Sequence, residues 1–152
     1  MDTQENLPGP SWTEAEILAG KEGSLHPDAV KGIEAYNKGD YFLAHEELET
    51  AWRDERGPVR DVYRGILQVG LAYYHIQRGN YNGAVKMFRR CKPWLAPFPD
   101  NYRGIYVNQL RLDMQKAETE LLLLGPERMQ FFSPALMTRV TFSADTRMEG
   151  SP

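Results

Sequence analysis

Residues 39–78 constrain this chain more than any other stretch. GDYFLAHEELETAWRDE meets a short break at Arg56-Gly57-Pro58 and is followed by VRDVYRGILQVGLAYYHIQRG. Two helices joined by so short a connection lie antiparallel. The second is apolar on most sides, and such a helix must be covered by several neighbours. The expected fold is therefore all-α, a single-domain bundle of about five helices. Gly39-Asp40-Tyr41 with Ala44 recurs as Gly79-Asn80-Tyr81 with Ala84, an offset of 40 residues. Each copy marks a glycine turn into a helix, as in tetratricopeptide-like helical hairpins, although those repeat at about 34 residues.

Other helices follow from caps and periodicity. Ser11 with Glu14 has capping-box spacing and predicts a short helix over Trp12–Ala19. Pro27-Asp28 opens a helix to Asn37 with Val30, Ile33 and Tyr36 on one face; His26 before it reads as a loop residue. A fourth helix spans Tyr81–Lys92, and KPWLAPFPD, with three prolines, reads as a loop. A fifth runs from Tyr102 to Leu124 and buries Tyr106, Leu110, Met114, Ala117 and Leu121. The chain thus divides into a lead with a short helix (1–27), a helical domain (28–125) and an arm (126–152) that docks on something and has a disordered end.

The totals exclude several functions. Of 152 residues, 18 are basic and 21 acidic, a net charge of −3, so no positive field exists for nucleic acid or an anionic membrane. The longest apolar run, Leu121–Leu124, is far short of the roughly 20 residues that span a bilayer. MDTQENLPGPSW lacks the basic and apolar regions of a signal peptide. Cys91 is the sole cysteine, so no internal disulfide or cysteine-rich zinc site can form, and the expected compartment is the cytoplasm. A lone helical cysteine beside Arg89, Arg90 and Lys92 reads as inert packing ahead of a reactive thiol.

Polar residues stand where a core should be apolar. At about 100° per residue, Tyr41, Phe42, His45, Leu48, Glu49 and Trp52 form one stripe, which places His45 and Glu49 in the middle of the buried face and Glu46 on its shoulder. On the following helix Arg64, Gln68 and His75 form a line. Antiparallel pairing sets Glu49 opposite Arg64 and His45 opposite Gln68. The first reading is a satisfied buried network of His45, Glu46, Glu49, Trp52, Arg64, Gln68 and His75 that fixes helix register. The second is a pocket holding Zn²⁺ or Fe on His45, Glu46, Glu49 and His75. The HEELE string lacks the second histidine of the HExxH zinc helix, and no second carboxylate–histidine motif exists to make a di-iron site. A third is acid–base catalysis by His45 oriented by Glu49, with no nucleophile in view.

The string YFLAHEELETAWR, followed by Arg60, Tyr63, Gly65, Gln68, the AYYH segment, Arg78-Gly79-Asn80 and Gly83-Ala84, resembles the small helical family catalogued as domain of unknown function 309. The resemblance covers about residues 30–95. It implies an all-α fold of about five helices, no established activity, and His45, Glu46, Glu49, Trp52, Gln68 and His75 as marked positions without assigned roles. The resulting expectation is a protein-interaction or structural module without a cofactor. It binds a partner protein or itself, and the segment with Trp94, Phe98 and Tyr102 is a contact surface. The alternative is a metal-dependent or acid–base enzyme at His45, Glu46, Glu49 and His75.

Overall fold

The computed structural model describes residues 11–143. Six α-helices among them set the architecture: α1 (Glu14–Ala19), α2 (Pro27–Asn37), α3 (Tyr41–Asp54), α4 (Val59–Gln77), α5 (Tyr81–Leu95) and α6 (Val107–Leu124). A small hairpin, β1 (Asn101–Tyr102) with β2 (Ile105–Tyr106), precedes α6, and two 3-10 turns follow it at Pro126–Phe131 and Pro134–Leu136.

Helices α2 to α5 pack in sequence order, each antiparallel to the next. Contacts fix the directions: Phe42 near the start of α3 meets Tyr74 near the end of α4, while Trp52 near the end of α3 meets Arg60 near the start of α4. Missing side chains let the rods approach. A β-carbon on Gly32 would lie 2.6 Å from Leu48 Cγ, and one on Gly65 would lie 2.4 Å from Leu95 Cδ2. The two echoed turns are built alike. Gly39 and Gly79 take positive φ (85° and 72°), which glycine adopts without strain. The next residue caps the new helix: Asp40 accepts from the Leu43 amide at 3.2 Å, and Asn80 from the Gly83 amide at 2.9 Å. Ala44 and Ala84 are both buried against the preceding helix.

Several boundaries differ from the sequence reading. The first capping box is Thr13 with Glu16, two residues beyond Ser11, because Trp12 is drawn off to donate its indole N–H to Asp61 at 2.8 Å. His26 is the N-cap of α2: its Nδ1 accepts from the Asp28 amide at 3.0 Å. Helix α5 continues through Pro93 to Leu95. The proline removes one amide, whose partner would be the carbonyl of exposed Arg89, and Leu95 fills the notch at Gly65.

Residues 101–106 form the hairpin, not the first turns of the last helix. Its central residues Arg103 and Gly104 both have positive φ (49° and 85°), the geometry of a two-residue turn between twisted strands. Arginine is held there by its own side chain, which donates to Gly20 O at 2.8 Å and Ser24 O at 3.0 Å. Tyr106 is accordingly 46 % exposed, and Val107 takes the first buried position of α6.

Of the segment expected to form a contact surface, Phe98 and Tyr102 are packed inward, whereas Trp94 is partly exposed. Phe98 and Tyr102 are buried edge to face at 4.8 Å, and the Tyr102 hydroxyl donates to Ile17 O at 2.7 Å. After α6 the chain folds back on the bundle. Asn37 brackets Val140, donating to its carbonyl at 3.0 Å and accepting from its amide at 2.8 Å. Thr138 donates to buried Asp113 at 2.7 Å, and Phe142 bridges Ile105. Met129, Phe132 and Val140 are buried, whereas Phe131 is 64 % exposed. The expected disordered end lies beyond residue 143, outside the described residues.

Candidate functional site

The buried stripe of α3 is Tyr41, Ala44, Leu48 and Ala51, about a fifth of a turn from the stripe read in the sequence. His45, Glu49 and Trp52 therefore flank the core and line one side of an open cleft of about 190 Å³ between α3, α4 and α5. Arg64, Leu67, Gln68 and Leu71 of α4 and Met87 and Arg90 of α5 complete its wall.

The pairings expected across the seam do not form. Glu49 turns along its own helix to Arg53, accepting at 3.1 Å, and its other oxygen is 3.8 Å from His45 Nε2. Arg64 instead lies between two indoles, its guanidinium carbon 4.7 Å from the Trp52 ring centre and 4.5 Å from that of Trp94. Arg60 reaches Trp52 from 4.8 Å and donates to its carbonyl at 3.2 Å. Burial lowers the Arg64 pKa from its ordinary value, opposed in part by nearby Asp61 and Glu49. The group stays charged, because a guanidinium is not deprotonated in proteins. Ring contacts fix its plane and leave its N–H donors without an ion-pair partner among the described residues.

Among the residues lining the cleft, Nδ1 of His45, Nε1 of Trp52 and Oε1 of Gln68 are occluded and have no hydrogen-bond partner. Gln68 is only 5 % exposed. Buried polar atoms are ordinarily paired, and an orphan costs about 1–3 kcal/mol.

The other sequence candidates stand apart. Glu46 is exposed on the far side of α3. His75 sits under the start of α5, its Nδ1 3.3 Å from Asn80 Nδ2, in space left by Gly83, where a β-carbon would meet the ring at 2.9 Å. Burial and the neighbouring Arg78 hold the His75 pKa below its ordinary value. Among the described residues, the His, Cys, Asp and Glu groups close enough to share an ion are His26, Asp28 and Asp54, not the four read from the sequence. The His26–Asp28–Asp54 cluster already serves as the α2 cap, with His26 Nε2 3.2 Å from Asp54.

Cys91 is buried, its Sγ donating to Phe88 O at 3.2 Å, and burial pushes its thiol pKa up to about 12. It offers no nucleophile. The sequence reading missed Leu67, Met87, Trp94 and Arg90 as neighbours of the site. Leu67 and Met87 look like core residues, and Trp94 lay in a stretch read as a loop.

Residues 29–87 match the model of the family described as Domain of unknown function (DUF309), which takes in α2, α3, α4 and half of α5. The chain is also 29 % identical, over 85 residues and 54 % of its length, to a protein of Aquifex aeolicus (strain VF5) described as an uncharacterized protein. It spans about a quarter of that relative, 25 % of its length. No helix among the described residues is long and apolar enough to cross a membrane.

Proposed function

We propose that this chain, which carries a DUF309 domain at residues 29–87, is a binding module whose tetratricopeptide-like hairpins present the α3–α4–α5 cleft to a polar group of a partner polypeptide. The observation that carries the reading is the Arg64 guanidinium on the wall of that cleft, stacked between Trp52 and Trp94 without an ion-pair partner among the described residues. Leu67, Leu71 and Met87 add an apolar floor, so the cleft combines a few placed polar groups with greasy walls, as ligand sites do.

The test is binding of a pool of randomised hexapeptides, followed by NMR of the indole N–H groups. Trp52 is expected to shift saturably while Trp12, held on Asp61, does not. A pool that moves no indole contradicts the reading.

A second reading rests on the His45–Glu49 approach of 3.8 Å, a histidine with an orienting carboxylate, as acid–base or metal chemistry requires. With Glu46 and His75 elsewhere, two ligands remain for Zn²⁺ or Fe where a structural zinc takes four. Stoichiometric metal in the purified protein that disappears in His45→Ala supports this reading over the first.

A further inference from the structure

We propose that the group taken by the cleft is the carboxylate of an acidic side chain of the partner polypeptide, held by the Arg64 guanidinium and the Gln68 amide N–H groups. This rests on the partner-binding reading above and names the chemistry that the cleft selects.

A guanidinium is planar: its faces stack and its edges donate. In Arg64 the faces are taken, with the Trp52 ring centre at 4.7 Å and that of Trp94 at 4.5 Å. The edges are not. Arg64 makes no side-chain hydrogen bond or ion pair among the described residues, and its nitrogens are not occluded. Gln68 lies one turn further along the same face of α4. It is 5 % exposed and likewise makes no side-chain hydrogen bond among the described residues. Its Oε1 is occluded and its Nε2 is not, so the end it offers to the cleft is the donor end. Open donors one turn apart ask for an acceptor that takes from both.

The charges on the wall make that acceptor an anion. Arg90 of α5 lines the same cleft; its Nε is occluded, and what it adds is its positive charge. The opposing carboxylates are engaged elsewhere. Glu49 accepts from Arg53 at 3.1 Å, and Asp61, the other acid felt by Arg64, accepts from Trp12 at 2.8 Å. Two arginines against one glutamate therefore line the cleft of a chain whose net charge is −3. A surplus of one positive charge suits a singly charged carboxylate, whereas a phosphate monoester, at about −1.5 to −2, presses harder on Glu49. The planar fork of arginine matches the two oxygens of a carboxylate. A volume of about 190 Å³ equals roughly six waters at about 30 Å³ each, room for one side chain and not a folded segment. Leu67, Leu71 and Met87 cover the methylene stem of such a side chain.

The experiment titrates the ¹⁵N-labelled full chain with two pools of hexapeptides, acetylated and amidated at their ends and randomised over uncharged residues. One pool carries Glu at the third position and the other Gln, and the Trp52 and Trp94 indoles are followed against Trp12. The Glu pool is expected to act at concentrations at least about tenfold lower, the value of a charge-assisted hydrogen bond. Arg64→Gln is expected to abolish that preference with the Trp12 indole signal in place, and Gln68→Leu to lose the response to the Glu pool. A preference for Glu that survives in either variant overturns the part given to that residue. Equal action of the two pools on the wild type overturns the carboxylate and leaves the partner-binding reading standing. A phosphoserine pool that acts below the Glu pool overturns the carboxylate in favour of a phosphate. Sodium acetate acting at the concentrations of the Glu pool overturns a polypeptide as the source. No shift from any pool overturns both readings.

Discussion

The guanidinium of Arg64 is clamped against the Trp52 ring at 4.7 Å, and neither residue uses its hydrogen-bonding N–H groups inside the described chain. The ring faces hold the pair in place. Trp52→Phe keeps most of the ring and removes the orphaned donor. Its stability is expected within about 1 kcal/mol of wild type, because the lost packing is offset by the relieved desolvation. Chemical denaturation checks this. Trp52→Ala removes the clamp and is expected to cost about 3 kcal/mol or more.

The helix approaches at Gly32 and Gly65 leave no room for a methyl group. A β-carbon would sit 2.6 Å from Leu48 Cγ at the first and 2.4 Å from Leu95 Cδ2 at the second. Gly32→Ala and Gly65→Ala are each expected to lower unfolding free energy by about 1–3 kcal/mol despite better helix propensity. Urea denaturation of the two variants measures it, and a gain in stability would mean that the helices are further apart than described.

Asp61 carries a pH signature. Burial raises its pKa above the ordinary 3.8, opposed by the Trp12 hydrogen bond and by Arg60 and Arg64. A carboxyl whose folded pKa is raised burdens the fold fully above that pKa and not at all below the unfolded value. Asp61→Asn keeps an acceptor for the indole. Its stability relative to wild type is expected to be greatest near neutral pH, and to shrink as pH falls through the raised pKa toward 3.8. Denaturation curves across that range test the sign.

Asn37 ties the arm to the bundle through both main-chain groups of Val140. Asn37→Ala orphans a buried amide and carbonyl, so hydrogen exchange at the Val140 amide is expected to accelerate about tenfold or more, with α4 unaffected. Unchanged exchange would show that the apolar contacts of the arm hold it without this latch.

The helical framework was legible because its signals are local: Pro27 and Pro58 at helix starts, the two glycine turns with their Asx caps, and one long greasy helix. What failed depended on partners distant in sequence. Ala44 and Ala51 look neutral on α3, yet they are on its buried face, and giving weight to larger Phe42, His45 and Trp52 rotated the apparent core face toward the cleft. Arg64 was placed correctly opposite the end of α3 but assigned to a carboxylate. Trp94, which completes its clamp, belongs to a helix extension that Pro93 concealed. The hairpin was hidden because Arg103 occupies a positive φ that its side-chain bonds to Gly20 and Ser24 sustain.

Gln68 offers the most direct test of whether the polar cleft serves binding or folding. It is nearly fully buried, and its Oε1 has no partner. Gln68→Leu is of similar size and leaves nothing unpaired there. Measured by urea denaturation and hexapeptide titration on the same protein, the variant is expected to be more stable by about 1 kcal/mol and to lose peptide binding. A variant destabilised by about 1 kcal/mol or more that still binds the pool as wild type does would contradict the account, because the glutamine would then be holding the helices and not a ligand.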